Sequence, residues 1–215
     1  MFPDVFSVSD QRDKFMLTIH HLRVSQSDRI VWLCEELELA YELVLHQRDP
    51  ITRTAPEAYR QLHPSGTAPV ITDGALVLAE TGAIVEYLLT REGLGRLVVG
   101  PGDPHYTDYL YWYHMANGSL MPAMMMLLAE GPIIPFMQAR IDRYLRALDD
   151  HLAHGNTWLA GETFTVADIM MAFPLTSMGA FVKVDVSAYP HIGAYIKRLQ
   201  ARPAYQRAMA KAEPA

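Results

Sequence analysis

The sequence predicts two domains of different class, an α/β domain followed by an all-α domain. Segments with the alternating pattern of strands occur only before residue 80, where they are interleaved with helical patterns. Residues 92–103 hold four glycines and one proline, a composition typical of a linker. Beyond this linker, apolar residues recur only with helical spacing. We therefore expect an extension at 1–15, a thioredoxin-like α/β domain at 16–91 and an all-helical domain at 104–215.

Composition narrows the possible function classes. The 215 residues carry 18 basic and 24 acidic side chains, a net charge of −6, so we expect no nucleic-acid partner. Cys34 is the one cysteine, and the histidines lack ligand spacing, so we expect neither an internal disulfide nor a metal site. No apolar run approaches the roughly 20 residues that span a bilayer, and no segment has the pattern of a secretory signal. We therefore predict a cytoplasmic protein without a membrane span.

The N-terminal elements follow from the spacing of apolar residues. Residues 1–15 are polar and aperiodic, so we interpret them as an extension outside the fold. Leu17, Ile19 and His21 alternate with Thr18 and His20, which predicts a strand. A helix follows, because four apolar residues are spaced at i, i+3, i+4 and i+7, namely Ile30, Leu33, Cys34 and Leu37. On this apolar face Cys34 is expected to be a buried, unreactive thiol.

The rest of the first domain completes a β-α-β-β-β-α order. Residues 42–46 read as a second strand, and the proline-containing segment 47–66 as a loop or short helix. Two apolar runs, 68–72 and 75–78, flank Asp73-Gly74, a pair typical of a hairpin turn because both positions tolerate positive φ. The spacing of apolar residues over 83–88 then predicts a helix.

The second domain shows helical periodicity over 141–152 and 192–199. Between them, the segment from Thr165 to Asp168 predicts a helix start with a capping box. In that motif the threonine hydroxyl accepts from the backbone of Asp168, and the carboxylate reaches back to the N–H of Thr165.

The loop between the first strand and the first helix, residues 23–29, is the predicted reactive centre. A helix N-terminus presents backbone N–H groups and a positive dipole to an anion. The loop holds Ser25 and Ser27 but no cysteine, so we expect a serine hydroxyl to donate to the sulfur of a bound thiol. Such a bond contributes about 1.5–3 kcal/mol, which lowers a thiol pKa of about 8.5 by one or two units. This mechanism requires no metal and no side-chain general base.

Two further segments suggest what carries the thiol. If the Ala68–Pro69 bond is cis, the N–H and C=O of Val70 can pair with an extended peptide. At the start of the next helix, Thr81 can act as its cap or hold a carboxylate, and Glu80 can receive an ammonium group. The expected ligand therefore has a thiol in the middle, a peptide backbone beside it and an amino-acid head group at one end.

Taken together, the 24–30 loop, the alanine-proline-valine turn, Glu80-Thr81 and the helix start at Thr165 resemble the cytosolic glutathione transferases. The resemblance covers about residues 16–212 and is strongest to the serine-type bacterial and fungal group, because the W-L-x-E-E-L pattern follows the loop at 32–37. It implies the glutathione transferase architecture, glutathione as co-substrate, one glutathione site per subunit and a homodimer.

The resemblance also implies roles for individual residues. Ser25 matches the catalytic serine, and Ser27 is the alternative. The partner of the glycyl carboxylate stays open among Arg48, Arg53, Gln47 and His63. The implied glutathione-binding residues are Ser25, Ser27, Arg53, Ala68, Pro69, Val70, Glu80 and Thr81.

The second substrate is expected to be a hydrophobic electrophile bound between the domains. The methionine-rich segment 114–126 would form an adaptable apolar wall, although apolar residues at helical spacing are also typical of core or dimer packing. We predict that this pocket includes Tyr106, Tyr113, Met121 and Met125, with Phe173 as a further aromatic face. Alternatives are another glutathione-dependent reaction, as in a peroxidase, isomerase or dehalogenase, or a non-catalytic binding module.

Overall fold

A computed structural model describes residues 16–93 and 95–214; the predicted extension at 1–15 lies outside the described residues. The N-terminal part alternates strands and helices in the predicted order. Its elements are β1 (Thr18–Leu22), α1 (Asp28–Leu37), β2 (Glu42–His46), α2 (Glu57–Arg60), β3 (Val70–Asp73), β4 (Leu76–Ala79) and α3 (Thr81–Leu88).

The four strands form one mixed sheet in the order β2-β1-β3-β4. β1 pairs with β2 in parallel, and the other two neighbouring pairs are antiparallel. The predicted hairpin is present, but Asp73 still pairs with Leu76, so the turn residues are Gly74 and Ala75. Gly74 takes a φ of 60°, the left-handed conformation that glycine adopts without steric cost. The thioredoxin-like part of the fold prediction is confirmed.

α1 is buried on nearly every side, although its sequence shows one apolar face. The sheet covers that face, and two helices of the second domain, Val166–Leu175 and Pro203–Ala212, pack against the rest of the helix. Cys34 is fully buried there, and burial raises the pKa of its thiol to about 12. The thiol therefore stays protonated, as the sequence predicts.

The second part of the chain is helical. Its helices are α4 (Tyr106–Met115), α5 (Met121–Met125), α6 (Ile133–Ala153), α7 (Val166–Leu175), α8 (Pro190–Gln200) and α9 (Pro203–Ala212). Among the described residues, none of these helices has the length and apolar character that crossing a membrane requires. A π-helical turn, Leu89–Gly93, follows α3, and the limits of the linker at 92–103 stay a prediction.

The predicted capping box starts α7. Asp168 accepts from the N–H of Thr165 at 2.8 Å, while the hydroxyl of Thr165 accepts from the N–H of Ala167 at 3.3 Å. The same carboxylate accepts from the hydroxyl of Tyr195 and from the N–H of Leu159. These bonds fix α7 within the helical part, and α7 supplies one wall of the site.

Candidate functional site

A cavity of about 540 Å³ lies between the two parts of the chain. On one side it is bounded by the end of β1, the loop after it and the segments around α2. On the other side it is bounded by α5, α7 and the turn that follows α7. The lining residues are Leu22, Val24, Ser25, Gln26, Arg48, Arg53, Thr54, Ala55, Arg60, Gly66, Thr67, Ala68, Met121, Met125, Phe173, Met178 and Phe181.

The two walls of this cavity differ in chemistry. The thioredoxin-like wall carries three arginines, Arg48, Arg53 and Arg60, together with hydroxyl and amide groups. The helical wall consists of methionine and phenylalanine side chains, including Met121 and Met125. The cavity therefore suits a ligand with an anionic, polar portion and an apolar portion.

Ser25 lies on the polar wall, in the loop that leads into α1. It lines the cavity, and its Oγ accepts from the N–H of Ser27 at 3.2 Å. The two hydroxyl oxygens are 2.7 Å apart. Ser27 is fully buried and does not line the cavity among the described residues, whereas Ser25 does, so Ser25 is the better candidate of the two to contact a ligand.

Behind Ser27 lies a hydrogen-bond chain that sequence reasoning missed. The Oγ of Ser27 is 2.9 Å from Nδ1 of His21, and Nε2 of His21 is 3.2 Å from a carboxylate oxygen of Glu213. That oxygen also accepts from the N–H of Val24 at 2.6 Å. A buried imidazole is thus linked to Ser25 through one hydroxyl, a group that the sequence analysis did not select. The sequence offers one local indication of this chain. His20 and His21 are adjacent in a strand, so their side chains point to opposite faces and one of them must face α1.

Gln26 is a second residue that the sequence analysis did not select. Its side-chain oxygen accepts from the hydroxyl of Thr81 at 3.0 Å, from the amide of Asn117 at 3.2 Å and from the guanidinium of Arg29. Because these three donors identify the oxygen, the amide nitrogen keeps both hydrogens. Within the described ranges no protein acceptor bonds that nitrogen, and Gln26 lines the cavity.

Arg29 and Asp28 tie the reactive loop to the helical part. Arg29 donates to the carbonyl of Met170 at 2.9 Å, and burial lowers its pKa to about 10, which leaves it charged at neutral pH. Asp28 accepts from the hydroxyl of Ser177 at 2.5 Å, and burial raises its pKa to about 6. The position of the loop therefore depends on α7 and the turn after it.

Thr81 contacts Gln26, and neither Glu80 nor Thr81 is among the described residues that line the cavity. The hydroxyl of Thr81 bonds Gln26 instead of capping α3, and Glu80 occupies the cap position without a side-chain bond. The interpretation of Thr81 as a helix cap is therefore wrong. Glu80 is exposed and has a φ of 76°, which directs the chain sharply into α3.

The Ala68–Pro69 bond is cis, the conformation on which the peptide-pairing hypothesis depended. Val70 is a member of β3, paired with His20 on one side and with Ala79 on the other. Its backbone groups therefore face neighbouring strands. Ala68 lines the cavity, whereas Val70 is not among its described lining residues.

The two predicted tyrosines lie away from this cavity in the part of the chain that the structure describes. Tyr113 is buried and donates to the carbonyl of Gly82 at 3.3 Å, and Tyr106 begins α4. The assignment of Tyr106 and Tyr113 to the apolar pocket therefore needs correction. Met121 and Met125 do line the cavity, and Phe173 lies with them.

Three arginines line the cavity and could bind an anionic group of a ligand, and they differ in the partners that each already has. Arg48 donates to the carbonyls of Arg23, Val24 and Arg53 at 3.0–3.2 Å, so it holds the loops. Arg60 lines the cavity but is paired with Glu57. The guanidinium of Arg53 has no partner among the residues described and also lines the cavity. Gln47 and His63 are not among the described lining residues.

Family models match both parts of the chain. The model described as "Glutathione S-transferase, N-terminal domain" matches residues 25–91. The model described as "Glutathione S-transferase, C-terminal domain" matches residues 137–203. The two matches lie in the order of the two structural parts.

Curated proteins and solved structures resemble the chain over most of its length. Glutathione S-transferase 3 of Schizosaccharomyces pombe is 30% identical, over 92% of this chain and 88% of that protein. A disulfide-bond oxidoreductase of Escherichia coli, YfcG, is 25% identical over 92% of this chain and 96% of its own. A crystal structure of a glutathione S-transferase from Actinobacillus pleuropneumoniae has a TM-score of 0.83 and 34% identity, covering 92% of this chain and 93% of that one. A sphingomonad glutathione S-transferase solved with glutathione has a TM-score of 0.74 and 25% identity, with coverage of 92% and 100%.

Proposed function

Because the chain belongs to the glutathione S-transferase family, we propose that it joins the sulfur of glutathione to a hydrophobic electrophile in the cavity between its two parts. The observation that carries this proposal is the position of Ser25. Ser25 lines the cavity that the arginine-bearing wall and the apolar wall share, and it lies in the loop that leads into the N-terminus of α1. A thiol held there has a hydrogen-bond donor and an adjacent space for an apolar partner.

Glutathione, the co-substrate, lies along the polar wall in this proposal. Arg53 takes the glycyl carboxylate, because its guanidinium lines the cavity without a partner among the described residues. The backbone of Ala68 pairs with the cysteinyl unit. The amide nitrogen of Gln26 donates to the γ-glutamyl end, with Glu80 and Thr81 beside it. The tripeptide in this orientation presents its sulfur to Ser25.

Ser25 then stabilises the thiolate. A free thiol with a pKa of about 8.5 is only a few per cent ionised at pH 7. One hydrogen bond to the charged sulfur contributes about 1.5–3 kcal/mol, equivalent to one or two pKa units. The thiolate uses a sulfur lone pair to attack the electrophile, which is held against Met121, Met125 and Phe173. Methionine side chains adapt to guests of different shape, which supports a varied range of electrophiles.

A substrate panel tests the reaction class. The panel contains an aryl halide, an isothiocyanate, a maleyl compound, a hydroperoxide and a mixed disulfide, each assayed with glutathione and the purified full chain. We expect conjugation of the aryl halide or the isothiocyanate to give the highest kcat/KM. Calorimetry should show glutathione binding at millimolar concentration or below. A protein that neither binds glutathione nor turns over any panel member would contradict the proposal and favour a non-catalytic binding module.

Reduction of disulfides is a second candidate function, because the similar protein YfcG is named a disulfide-bond oxidoreductase. The reactive loop holds no cysteine and Cys34 is buried, so the sulfur in such a reaction belongs to glutathione. The mixed-disulfide arm of the panel distinguishes this function from conjugation. Turnover of that substrate alone would assign the enzyme to disulfide exchange.

We also propose that the enzyme is a cytoplasmic homodimer that removes reactive electrophiles. Apolar side chains are exposed on α4, on β4 and on α6, including Leu110, Tyr111, Val77 and Phe136. Exposed apolar groups of this kind favour association between copies. Light scattering on the eluted protein should give twice the chain mass, and a monomer would contradict this part of the proposal. The cytoplasm supplies the glutathione pool that the reaction consumes.

A further inference from the structure

We propose that His21 is the proton acceptor of this site and that it removes the proton of the bound thiol through Ser27 and Ser25. The inference rests on the proposed function, because it requires the sulfur of glutathione to face Ser25. His21 does not touch the ligand and is therefore a positioning residue that acts through two hydroxyl groups.

The geometry forms one continuous chain of hydrogen bonds. From the cavity inward, the Oγ atoms of Ser25 and Ser27 are 2.7 Å apart, and the Oγ of Ser27 is 2.9 Å from Nδ1 of His21. Nε2 of His21 is 3.2 Å from Glu213, which follows α9. His21 and Ser27 are fully buried, and Ser25 is 5% exposed. A proton from the cavity therefore reaches the imidazole through these side chains and not through bulk water.

The direction of each hydrogen follows from the end of the chain. The carboxylate of Glu213 can only accept, so Nε2 of His21 carries the hydrogen and Nδ1 is the acceptor. Ser27 then donates to Nδ1 at 2.9 Å, which is a shorter contact than the one its hydroxyl makes with the carbonyl of Leu22 at 3.5 Å. Its oxygen already accepts from the N–H of Leu22 at 3.2 Å, and its remaining acceptor position takes the hydrogen of Ser25. In the resting site the hydrogen of Ser25 thus points inward, away from the cavity.

Because the hydrogen of Ser25 points inward, Ser25 can donate to a thiolate only after that hydrogen has moved toward the imidazole. When the thiol binds, its proton passes to the Oγ of Ser25 as the S–H bond breaks. The original proton of Ser25 passes to Ser27, and that of Ser27 passes to Nδ1 of His21. Both hydroxyls are regenerated, and the charge separates into a thiolate at the cavity and an imidazolium beside Glu213. The hydrogen now on Ser25 points at the sulfur, so the same transfer that forms the thiolate also turns its donor toward it.

The charges around His21 are suited to this role. Burial lowers its pKa, so the imidazole is neutral and able to accept at neutral pH. Glu213 raises the pKa and Arg23 lowers it, and these are the charged groups that face His21 from the described elements. Glu213 also accepts from Arg23 at 3.0 Å and from the N–H of Val24, which keeps the carboxylate in place before the transfer. Glu213 thus contacts both His21 in β1 and the start of the loop that holds Ser25.

The experiment uses the full chain with glutathione as probe and follows the thiolate by its ultraviolet absorbance across a pH titration. The variants are His21→Asn, Ser27→Ala and Glu213→Gln, with His154→Asn as the matched control because His154 is exposed at the end of α6 and does not line the cavity. We expect each of the three to raise the apparent pKa of the bound thiol by about one unit, and to reduce kcat/KM at neutral pH about tenfold. Their activity should recover as pH rises through the ordinary thiol range, while the control matches wild type.

Two further measurements separate this role from a structural one. Glutathione affinity by calorimetry should change less than about threefold in all three variants, because none of these side chains faces the ligand. The double variant His21→Asn/Ser27→Ala should lose no more activity than either single variant, since both interrupt one pathway. Glu213→Gln provides a variant at a half-buried position if the buried substitution in β1 prevents folding.

Three outcomes overturn the inference, and they are distinguishable. Unchanged thiol pKa values in all three variants, with a raised value in Ser25→Ala, would remove the relay and leave the proposed function intact. Additive losses in the double variant, or weaker glutathione binding without a change in pH profile, would assign His21 a structural role. Failure of the wild-type protein to bind glutathione would overturn both the relay and the proposed function.

Discussion

The two walls of the central cavity hold their side chains in different ways. On the polar wall, hydrogen bonds from distant parts of the chain fix individual groups: Gln26 accepts from α3 and from the turn after α4, and Ser25 is linked through Ser27 to β1. On the apolar wall, Met121 and Met125 have no such restraint and can change rotamer. A wall of the first kind selects one partner by position, whereas a wall of the second kind accepts many partners by shape. The comparison therefore predicts strict recognition of the thiol and tolerant recognition of the electrophile.

The largest effect is expected where the polar wall meets the sulfur. Ser25→Ala removes the donor, so we predict a loss of about 10–100-fold in kcat/KM at neutral pH, equivalent to 1.5–3 kcal/mol. Glutathione affinity should stay close to that of wild type, because the rest of the tripeptide keeps its contacts. Steady-state kinetics and calorimetry check this, with Ser187→Ala as an exposed serine control. Unchanged turnover would remove Ser25 from the mechanism.

The next prediction concerns the link between the walls. The carboxyl of Asp28 has a pKa of about 6 in the folded protein against an ordinary value of 3.8, because of burial. Between these values the folded state binds more protons than the unfolded state, so this group lowers the free energy of unfolding as pH rises from about 4 to 6 and contributes no further change above that. Asp28→Asn removes this contribution. As pH rises from about 4 to 6, the free energy of unfolding of the variant should therefore increase by about 1–3 kcal/mol relative to that of wild type.

Denaturant unfolding of both proteins at several pH values measures this difference. Asp168 has a raised pKa for the same reason, but it is present in both proteins and cancels in the comparison. A difference between the two proteins that is independent of pH would show that Asp28 is already ionised in the fold. In that case the bond between Ser177 and Asp28, which joins the loop at 23–29 to the helical part, would not depend on the protonation of Asp28 in this pH range.

The same contrast explains how much was predictable from the sequence. The order of strands and helices along the first domain, the buried face of α1 and the capping box at Thr165 were predicted from patterns a few residues long. Helical and strand periods and caps are local, so a single sequence carries them. The choice of Ser25 as the candidate hydroxyl rests on the same kind of local information, because Ser25 lies in the turn before a helix.

The rest of the site depends on contacts between distant residues. His21 and Glu213 are separated by 192 positions, and Gln26 and Asn117 by 91, so no local pattern joins them. Val70 was misassigned because its pairing depends on strands on both sides of β3. Tyr113 was misassigned because its helical spacing fits a pocket and a core equally well, and packing against Gly82 decides between them. The polar groups of the polar wall are thus the hardest to infer from the sequence, since their positions are set by tertiary structure.

A smaller effect is expected at the anion-binding end of the polar wall. Arg53→Ala should weaken glutathione binding about three- to tenfold, equivalent to about 1 kcal/mol, because the residue is exposed and solvent screens its charge. Adding salt should weaken binding to wild type more than to the variant. Calorimetry at two ionic strengths checks both effects, and Arg60→Ala is the matched control because that guanidinium is already paired with Glu57. Equal losses of affinity in the two variants would mean that the glycyl carboxylate is attracted by the summed positive charge of the wall and is not bound by Arg53 in particular.

The smallest effect is expected on the apolar wall. Met125→Leu conserves volume and apolar character but removes one rotatable bond and the polarisable sulfur, so kcat/KM for a given electrophile should change by less than about fivefold. The change should differ in sign between compact and extended electrophiles, because a stiffer wall fits some shapes better and others worse. Glutathione affinity should not change, since the polar wall is untouched. Met16→Leu is the control, because that methionine is exposed and lies outside the cavity. A uniform loss across all electrophiles would mean that Met125 holds one defined group, and the apolar wall would then be as selective as the polar one.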